Sequence, residues 1–346
     1  MSETIEVAER PGQAPPPQQP ARRVLRQVGE AFLRRREASV LLVTIGLGVY
    51  FASARPVFLT HDNLVNVSQA TGPAAIVAIG EVLLLVSGEL DLSVGGVFAL
   101  APFLMHYGID YYHVPPLAAI LLALVIAAGI GLVNGLITWF LKVPSFVTTL
   151  GTLFVLIGIV LTTSHAYPAL IPPKAEGTIS TWFGRGDWAE IGWALLLVAF
   201  FHIVLTRTRW GLHTISVGGN LLGATEAGIR AGRIKIGNFM ITSTLGAFAG
   251  ILDAFRVHTI DPNLGGGTTI TFTAISAAVI GGTALAGGSG TILGAFLGAL
   301  VLAELLNGFN LIGVNANPMF IVQGVAILIA MIANVYLARL RRAGRT

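Results

Sequence analysis

Cysteine is absent from this 346-residue chain, which excludes disulfide bridges and thiolate metal sites. Charged residues are scarce, at 11% of the chain, whereas a soluble domain has about a quarter of its residues charged. The seven histidines are scattered without metal-ligand spacing, so no metal site is predicted. Hydrophobic residues make up 54% of the chain, and its mean hydropathy is +0.78. The composition therefore predicts a polytopic membrane protein.

The apolar residues fall into segments, and a membrane span needs about twenty mostly apolar residues. The candidate spans lie near residues 39–54, 64–86, 92–107, 116–141, 146–163, 189–206, 236–255, 270–286, 290–307 and 318–338. The predicted fold class is all-α, with about ten transmembrane helices in one domain over residues 39–338. The 42 glycines fit this prediction, because small residues let membrane helices pack closely.

Three segments are too polar to span a membrane. Residues 1–38 begin as a proline-rich stretch, predicted disordered, and continue as a basic amphipathic segment expected on the inner membrane surface. Residues 339–346 form a basic tail, and residues 164–190 form an outer loop. No cleavable signal peptide is predicted, since no suitable cleavage site follows the first apolar run.

The basic residues are distributed unevenly between the two sides of the predicted bundle. With the N-terminus inside, 17 of the 21 Lys and Arg residues lie on the inner side, and only Arg55, Lys174, Arg185 and Arg256 do not. The positive-inside rule then places both termini and the connector 206–236 in the cytoplasm. The basic charge thus serves orientation, and no nucleic-acid partner is predicted.

The connector Thr206–Ile236 is the longest polar stretch between spans on that side, with five cations and the single acid Glu226. A short helix is predicted over Leu221–Ile229, with Asn220 as its N-cap and Gly232 ending it. A basic connector with its own small helix suits docking of a second protein at the membrane surface. A solvated cytoplasmic loop is the alternative.

The stretch SGELDLSVGG places Glu89 and Asp91 between apolar segments. Burying a carboxylate in hydrocarbon costs several kcal/mol, so such groups face protein, water or a pathway. Asp91 and Ser93 together can also cap the helix that begins there. Other polar residues within the spans, Asp253 among them, can bond to the hydroxyls of a sugar or polyol, or can join helices to one another.

The glycine-rich stretch Gly281–Gly294 contains two apparent nucleotide motifs. A phosphate loop is excluded because its lysine is missing, and a dinucleotide fingerprint is excluded because no βαβ unit surrounds it. Close helix packing accounts for these glycines. No nucleotide site is predicted in this chain.

Several segments occur in the order found in one known family: GELDLSVGG from Gly88, KVPSFVTTLGT from Lys142, TRTRWGLHTISVGGNLLGATEAGI from Thr206, and AISAAVIGGTALAGGSG from Ala274. In these segments the chain resembles the permease subunits of bacterial sugar-importing ABC transporters of the ribose, xylose and galactoside type. Only about the first sixty residues and the loop after His165 lie outside the resemblance.

The resemblance implies an ABC importer permease fold in the bacterial plasma (inner) membrane. It implies cytoplasmic ATPase subunits, an outer solute-binding protein and a second permease copy, most simply as a homodimer. The path would carry a small polar solute, and a sugar or polyol is the favoured class. ATP would be bound by the partner, so this chain would have no cofactor and no catalytic residue, and would not be an enzyme.

The resemblance assigns one set of residues, and the polar residues within and between the spans supply a second. The ATPase-coupling set is Gly219, Asn220, Ala224, Glu226, Gly228 and Ile229. The candidates for the translocation path are Glu81, Glu89, Asp91, Asn134, Glu304 and Asn307.

The acids Glu81 and Glu89 stand where many relatives are apolar, which leaves a polyol, an aminated compound or a nucleoside open as the solute. A proton-coupled secondary transporter that uses Glu81, Glu89 or Glu304 is the alternative function. A membrane enzyme would need a cluster of catalytic groups near one face, which the sequence does not show.

Overall fold

The computed structural model describes residues 36–262 and 265–314, together with Ile321, Gly324, Val325, Leu328, Ile329 and Ile332. The predicted N-terminal segment, except its last three residues, lies outside this described part. So do the basic tail 339–346 and most of the predicted span 318–338.

The described chain is built almost entirely of helices. They are α1 Arg36–Ala54, α2 His61–Val86, α3 Val94–Asp110, α4 Pro116–Phe140, α5 Ser145–Ser164, α6 Ala189–Arg207, α7 Arg209–Gly219, α8 Leu221–Glu226, α9 Ala231–Val257, α10 Gly265–Ile280 and α11 Ile292–Leu311. Short helical turns lie at Pro56–Leu59, Pro173–Ala175, Thr178–Ser180 and Thr181–Arg185. Strands β1 (Ala169–Leu170) and β2 (Thr259–Ile260) pair antiparallel, which joins the loop after α5 to the segment after α9.

Among the described residues, seven helices are long and apolar enough to cross a membrane: α1, α2, α4, α5, α6, α9 and α11. Helices α3 and α10 are apolar but shorter, with 17 and 16 residues. At 1.5 Å per residue they extend about 24–26 Å, less than the roughly 30 Å of a bilayer core. These nine helices coincide with the first nine predicted spans, and the all-α fold class is confirmed.

Helix α2 forms the centre of the bundle. All its residues from Thr71 to Val86 are buried, although the helix is apolar enough to lie in lipid. It packs against α6, α9, α10 and α11, and α9 packs in turn against α3 and α4. Helices α4, α5 and α6 instead expose large apolar side chains such as Val125, Phe154 and Phe200. An apolar exterior around a fully buried helix is the arrangement that a bilayer favours.

The connector differs from the prediction at the C-terminal end of its short helix. Helix α8 ends at Glu226 rather than Ile229, because Gly228 adopts a left-handed φ of +82°. The Ile229 amide then donates to the Ala224 carbonyl at 3.0 Å, which closes a Schellman-type C-terminus. Gly232 does not end a helix but lies in the first turn of α9, where it faces the Trp139 indole.

Two further boundaries were not predicted. The connector contains a second helix, α7, ahead of the predicted one. Helix α10 ends at Ile280, so the second part of the predicted span 270–286 is a loop, in which Gly282 adopts a φ of +89°.

We expect Gly250→Ala to lower the melting temperature of the detergent-solubilised protein by several degrees. A Cβ at Gly250 would overlap the Phe98 carbonyl where α9 meets α3, and overpacking a tight contact costs about 1–3 kcal/mol. Gly158→Ala is the matched control, because this α5 glycine has nothing within 4 Å of an added Cβ. Equal melting temperatures for the two variants would contradict close α3–α9 packing.

Candidate functional site

The connector is a pair of capped helices. Thr208 caps α7 through its side-chain oxygen, which accepts from the Gly211 amide at 3.4 Å. Asn220 caps α8, its Oδ1 accepting from the Gly223 amide at 3.0 Å, as predicted. Both caps satisfy amides that a helix N-terminus leaves free, so each helix has a defined start. The chain turns sharply between them at the extended Asn220.

A small hydrophobic cluster fixes the connector to the bundle. Val217 of α7, Ala224 of α8 and Ile234 of α9 are buried together, with Trp139 and Trp210 packed against them. The two indoles fit because α9 has glycines at positions 232 and 237, directly beneath them. The connector is therefore a packed unit rather than a solvated loop.

One face of α8 is apolar and uncovered. Leu221 and Leu222, the first two residues of the six-residue helix α8, are 42% and 69% exposed. Glu226 is exposed at the end of the same helix, whereas Ala224 is buried against the connector's own cluster. Exposed leucines on a packed, capped helix form a surface that a second protein can cover.

Just ahead of α8, three segments meet through their backbones at what we call the glycine junction: Val86, Gly218, Gly219, Gly287 and Gly288. The Gly288 amide donates to the Val86 carbonyl at 2.8 Å. A Cβ at Gly288 would come within 2.7 Å of the Gly219 Cα. The end of α2, the end of α7 and the loop between α10 and α11 are thus in direct contact.

The same end of α2 leads into the acidic stretch predicted from SGELDLSVGG. Glu89 forms an ion pair with Lys235 of α9, with Oε1 2.5 Å from Nζ, and both side chains are only 11–12% exposed. The backbone amides of Leu90 and Leu92 donate to hydroxyls of Ser145 and Thr149 on α5. The stretch is therefore held by both α5 and α9.

Asp91 belongs to a separate, fully buried network. Its Oδ1 accepts from the Ser93 amide at 2.8 Å and from the Ser93 hydroxyl at 2.6 Å, next to the start of α3. Asn134 donates from Nδ2 to the Ser93 hydroxyl at 2.8 Å and accepts from the Thr152 hydroxyl at 2.6 Å. These bonds join the loop after α2 to α4 and α5. Asp91 thus forms a turn just ahead of α3, whereas Ser93, the N-cap residue of α3, makes no side-chain capping hydrogen bond.

Glu304 and Asn307, the candidates on α11, lie near the other end of α2. Asn307 donates from Nδ2 to Oδ1 of Asn63 in the first turn of α2, at 2.9 Å. Asp91 follows the last turn of that helix, which ends at Val86, 23 residues or about 35 Å beyond Asn63 at 1.5 Å per residue. Glu81 is completely buried near the Asp91 end of α2. The six path candidates therefore do not form one site.

A cavity of about 420 Å³ opens at the end of the bundle opposite the connector. Phe98 of α3, Asp253 of α9 and Asp261 after β2 are among its lining residues. Arg256 forms an ion pair with Asp253, and its Nε lies 3.3 Å from Oε2 of the buried Glu190 on α6. This chain of charges holds the Asp253 carboxylate at the cavity wall.

Comparison with known proteins identifies the family of this chain. Residues 63–331 match a family model described as "branched-chain amino acid transport system / permease component". The chain belongs to this permease family. The xylose/arabinose import permease of Sulfolobus acidocaldarius is 37% identical over 319 residues, covering 89% of this chain and 87% of that protein.

Two more relatives of this permease are named for sugars. The ribose import permease of Escherichia coli K12 is 33% identical over 306 residues, covering 87% of this chain and 94% of its own. The galactose/methyl galactoside import permease of the same strain is 29% identical over 316 residues, covering 86% of this chain and 93% of its own. No solved structure matches the chain. The relatives are import permeases, so the chain is a multi-pass membrane transport component and not an enzyme.

Sequence reasoning missed several residues of the permease that its structure brings together. Lys235 was counted only as a connector cation, although it pairs with Glu89 across 146 positions. Arg256 and Glu190 were not selected. A signal for Arg256 existed, since it follows Asp253 by three residues within an apolar helix and thus shares its face.

We expect Glu89→Lys to lower the melting temperature of the purified permease, because it places two cations together in a mostly buried position. The double variant Glu89→Lys/Lys235→Glu restores opposite charges and should recover most of the loss. Differential scanning fluorimetry in detergent measures both. If the double variant loses as much melting temperature as the two single variants Glu89→Lys and Lys235→Glu lose in total, the ion pair is contradicted.

Proposed function

We propose that this chain is the permease subunit of an ABC importer, that it forms the path for a small polar solute, and that cytoplasmic ATPase subunits drive it. A sugar or polyol is the favoured solute, because the relatives described above are named for pentoses, ribose and galactosides. The family description mentions branched-chain amino acids. The polar groups of the bundle favour a hydroxylated solute, since carboxylates and amides bond well to hydroxyls.

The observation that carries the coupling proposal is the pairing of an uncovered face on α8 with the glycine junction beside it. Leu221 and Leu222 offer the ATPase an apolar contact. The backbone contacts of Gly218 and Gly219 with Gly288 and Val86 pass a movement of α8 to α2 without flexible side chains in between. ATP binding in the partner would push the connectors of two permease copies together, and α2 would follow.

The six proposed coupling residues divide by role. Asn220 and Gly228 set the start and the end of α8. Gly219 lies in the glycine junction, and Ala224 anchors α8 to the connector's hydrophobic cluster. Glu226 and Ile229 lie on either side of the C-terminal turn of α8. Most of them thus shape α8, while Leu221 and Leu222 supply the contact. This division adds the two leucines to the coupling set.

The partners and orientation follow from the same proposal. The connector and both termini face the cytoplasm, as the excess of Lys and Arg on that side favours. A solute-binding protein would deliver the solute to the other face, where Asp253 lines the 420 Å³ cavity. A second copy of the chain would complete the path. ATP would be bound by the partner, with no cofactor in this chain.

The cavity favours Asp253 as a path residue above the six sequence candidates. Its carboxylate is 28% exposed and is oriented by Arg256, whereas Asp91 and Asn134 are fully buried and bonded within the protein. An aromatic wall at Phe98 next to a carboxylate is a combination that suits a sugar, which has an apolar ring face and a rim of hydroxyls. A proton-coupled transporter using Glu81 or Glu304 remains the second candidate, because both acids are buried in spans.

We expect Leu222→Asp to abolish co-purification of the ATPase subunit with the tagged permease, because a charge replaces an apolar contact. Leu170→Asp is the matched control: Leu170 is 72% exposed, but it lies in β1 on the opposite side of the bundle. Mass spectrometry of the co-purified proteins measures the result. If the ATPase subunit is recovered equally with both variants, α8 is not its docking site.

We expect Asp253→Asn to reduce solute uptake about tenfold in vesicles that contain the whole importer, because a hydrogen bond to a charged group is worth about 1.5–3 kcal/mol. Asp110→Asn is the control, since Asp110 ends α3 on the same side but does not line the cavity. Normal uptake by Asp253→Asn would remove this cavity from the path. Uptake that collapses with an uncoupler but survives ATP depletion would instead favour the proton-coupled transporter.

A further inference from the structure

A second cavity, of about 410 Å³, lies between the start of α7 and the start of α9. We call it the basic pocket. Its lining includes Arg209, His213, Arg230 and Arg233, together with Trp210 and Ile229. None of the assigned path residues lines it, and neither Leu221 nor Leu222 does. Gly228 and Ile229 of the coupling set do line it, so the pocket adjoins the C-terminus of α8 but does not include its exposed leucines.

The charges of the basic pocket have one sign. Its lining contains no carboxylate among the described residues. Within the same described part of the chain, Arg209, Arg230 and Arg233 form no ion pair with an acid, and all three side chains are exposed. Three arginines that line one pocket without a counter-charge create a field that selects an anion, and phosphate matches the fork of donors on a guanidinium group.

The position of the basic pocket relative to the membrane indicates which kind of phosphate-containing molecule it binds. Candidate span α6 ends at Arg207, two residues before Arg209, and candidate span α9 begins at Ala231, one residue after Arg230. The pocket is thus at the level where two membrane helices leave the hydrocarbon. Trp210 and Ile229 add apolar surface, and tryptophan is enriched at this depth of a membrane.

We propose that the basic pocket binds the headgroup phosphate of an anionic phospholipid from the membrane leaflet on the connector side. The three arginines contact the phosphate, and the apolar wall contacts the start of the acyl chains. A basic pocket beside the end of a transmembrane helix at this membrane surface is suited to such headgroups. The inference does not depend on which solute is carried or on the ATPase.

One wall of the basic pocket is linked to the central helix. Trp210 donates from Nε1 to Oδ1 of Asn238 at 2.9 Å, and Asn238 donates from Nδ2 to the Leu83 carbonyl of α2 at 3.2 Å. Asn238 is completely buried. A lipid that fixes Trp210 therefore also stabilises the contact between α9 and α2, beside the glycine junction.

The test is lipid binding by the full-length permease, purified in a neutral detergent and analysed by native mass spectrometry. The probes are dioleoyl phosphatidylglycerol and dioleoyl phosphatidylcholine, which differ in net charge but share their acyl chains. We expect tighter binding of phosphatidylglycerol. The variant Arg209→Gln/Arg233→Gln should weaken that binding about tenfold and leave phosphatidylcholine unchanged. Arg207→Gln, which removes a neighbouring cation outside the pocket, should change it less than twofold.

Equal affinity for the two lipids, or equal phosphatidylglycerol affinity in all variants, would overturn the proposal. A pocket variant that loses the ATPase subunit but keeps its phosphatidylglycerol affinity would assign the basic pocket to the ATPase interface instead. Displacement of the lipid by millimolar inorganic phosphate would show a site for free phosphate. If the double variant does not fold, the wild-type chain still decides, because high salt should weaken its phosphatidylglycerol preference and leave phosphatidylcholine binding unchanged.

Discussion

Close backbone contact through glycine is the constraint on which this permease depends. In a bilayer, helices cannot be held together by exclusion of water, so packing distance decides how firmly they associate. At the glycine junction the contact is closest, and there the Val86 carbonyl bonds to the Gly288 amide. Any side chain at Gly218 or Gly288 would separate α2 from the connector. The connector is thus fixed to the central helix itself rather than to the periphery.

Polar groups in the bundle divide into those that join helices and those that line a cavity. Ser93, Asn134 and Thr152 use their bonding capacity on one another, which explains how a loop, α4 and α5 stay joined in a region without water. Asp253 differs because Arg256 holds it at the surface of a cavity. Burial alone therefore does not distinguish the residues that line the cavity from those that join helices. Buried groups with full sets of partners are more easily understood as structural.

The connector places three structural features in a short length of chain. Its exposed leucines face away from the bundle's interior cluster, its glycines contact α2, and its arginines surround a pocket at the end of two spans. The hydrophobic cluster around Trp139 and Trp210 keeps these parts in a fixed relation. Docking, transmission and lipid contact would then influence one another through a rigid body.

What the sequence by itself determined is local. Runs of apolar residues placed nine described helices, the Asn220 cap placed the start of α8, and the missing lysine removed a phosphate loop, because each depends on neighbours a few positions apart. Only the tertiary structure decided that Glu89 meets Lys235, that Asn307 meets Asn63, and that the path candidates separate to opposite ends of α2. The physical reason is that such contacts depend on how helices far apart in sequence are arranged around a buried one. Hydrophobic periodicity shows that a helix lies in the membrane, but it does not show which neighbour each of its polar side chains will meet.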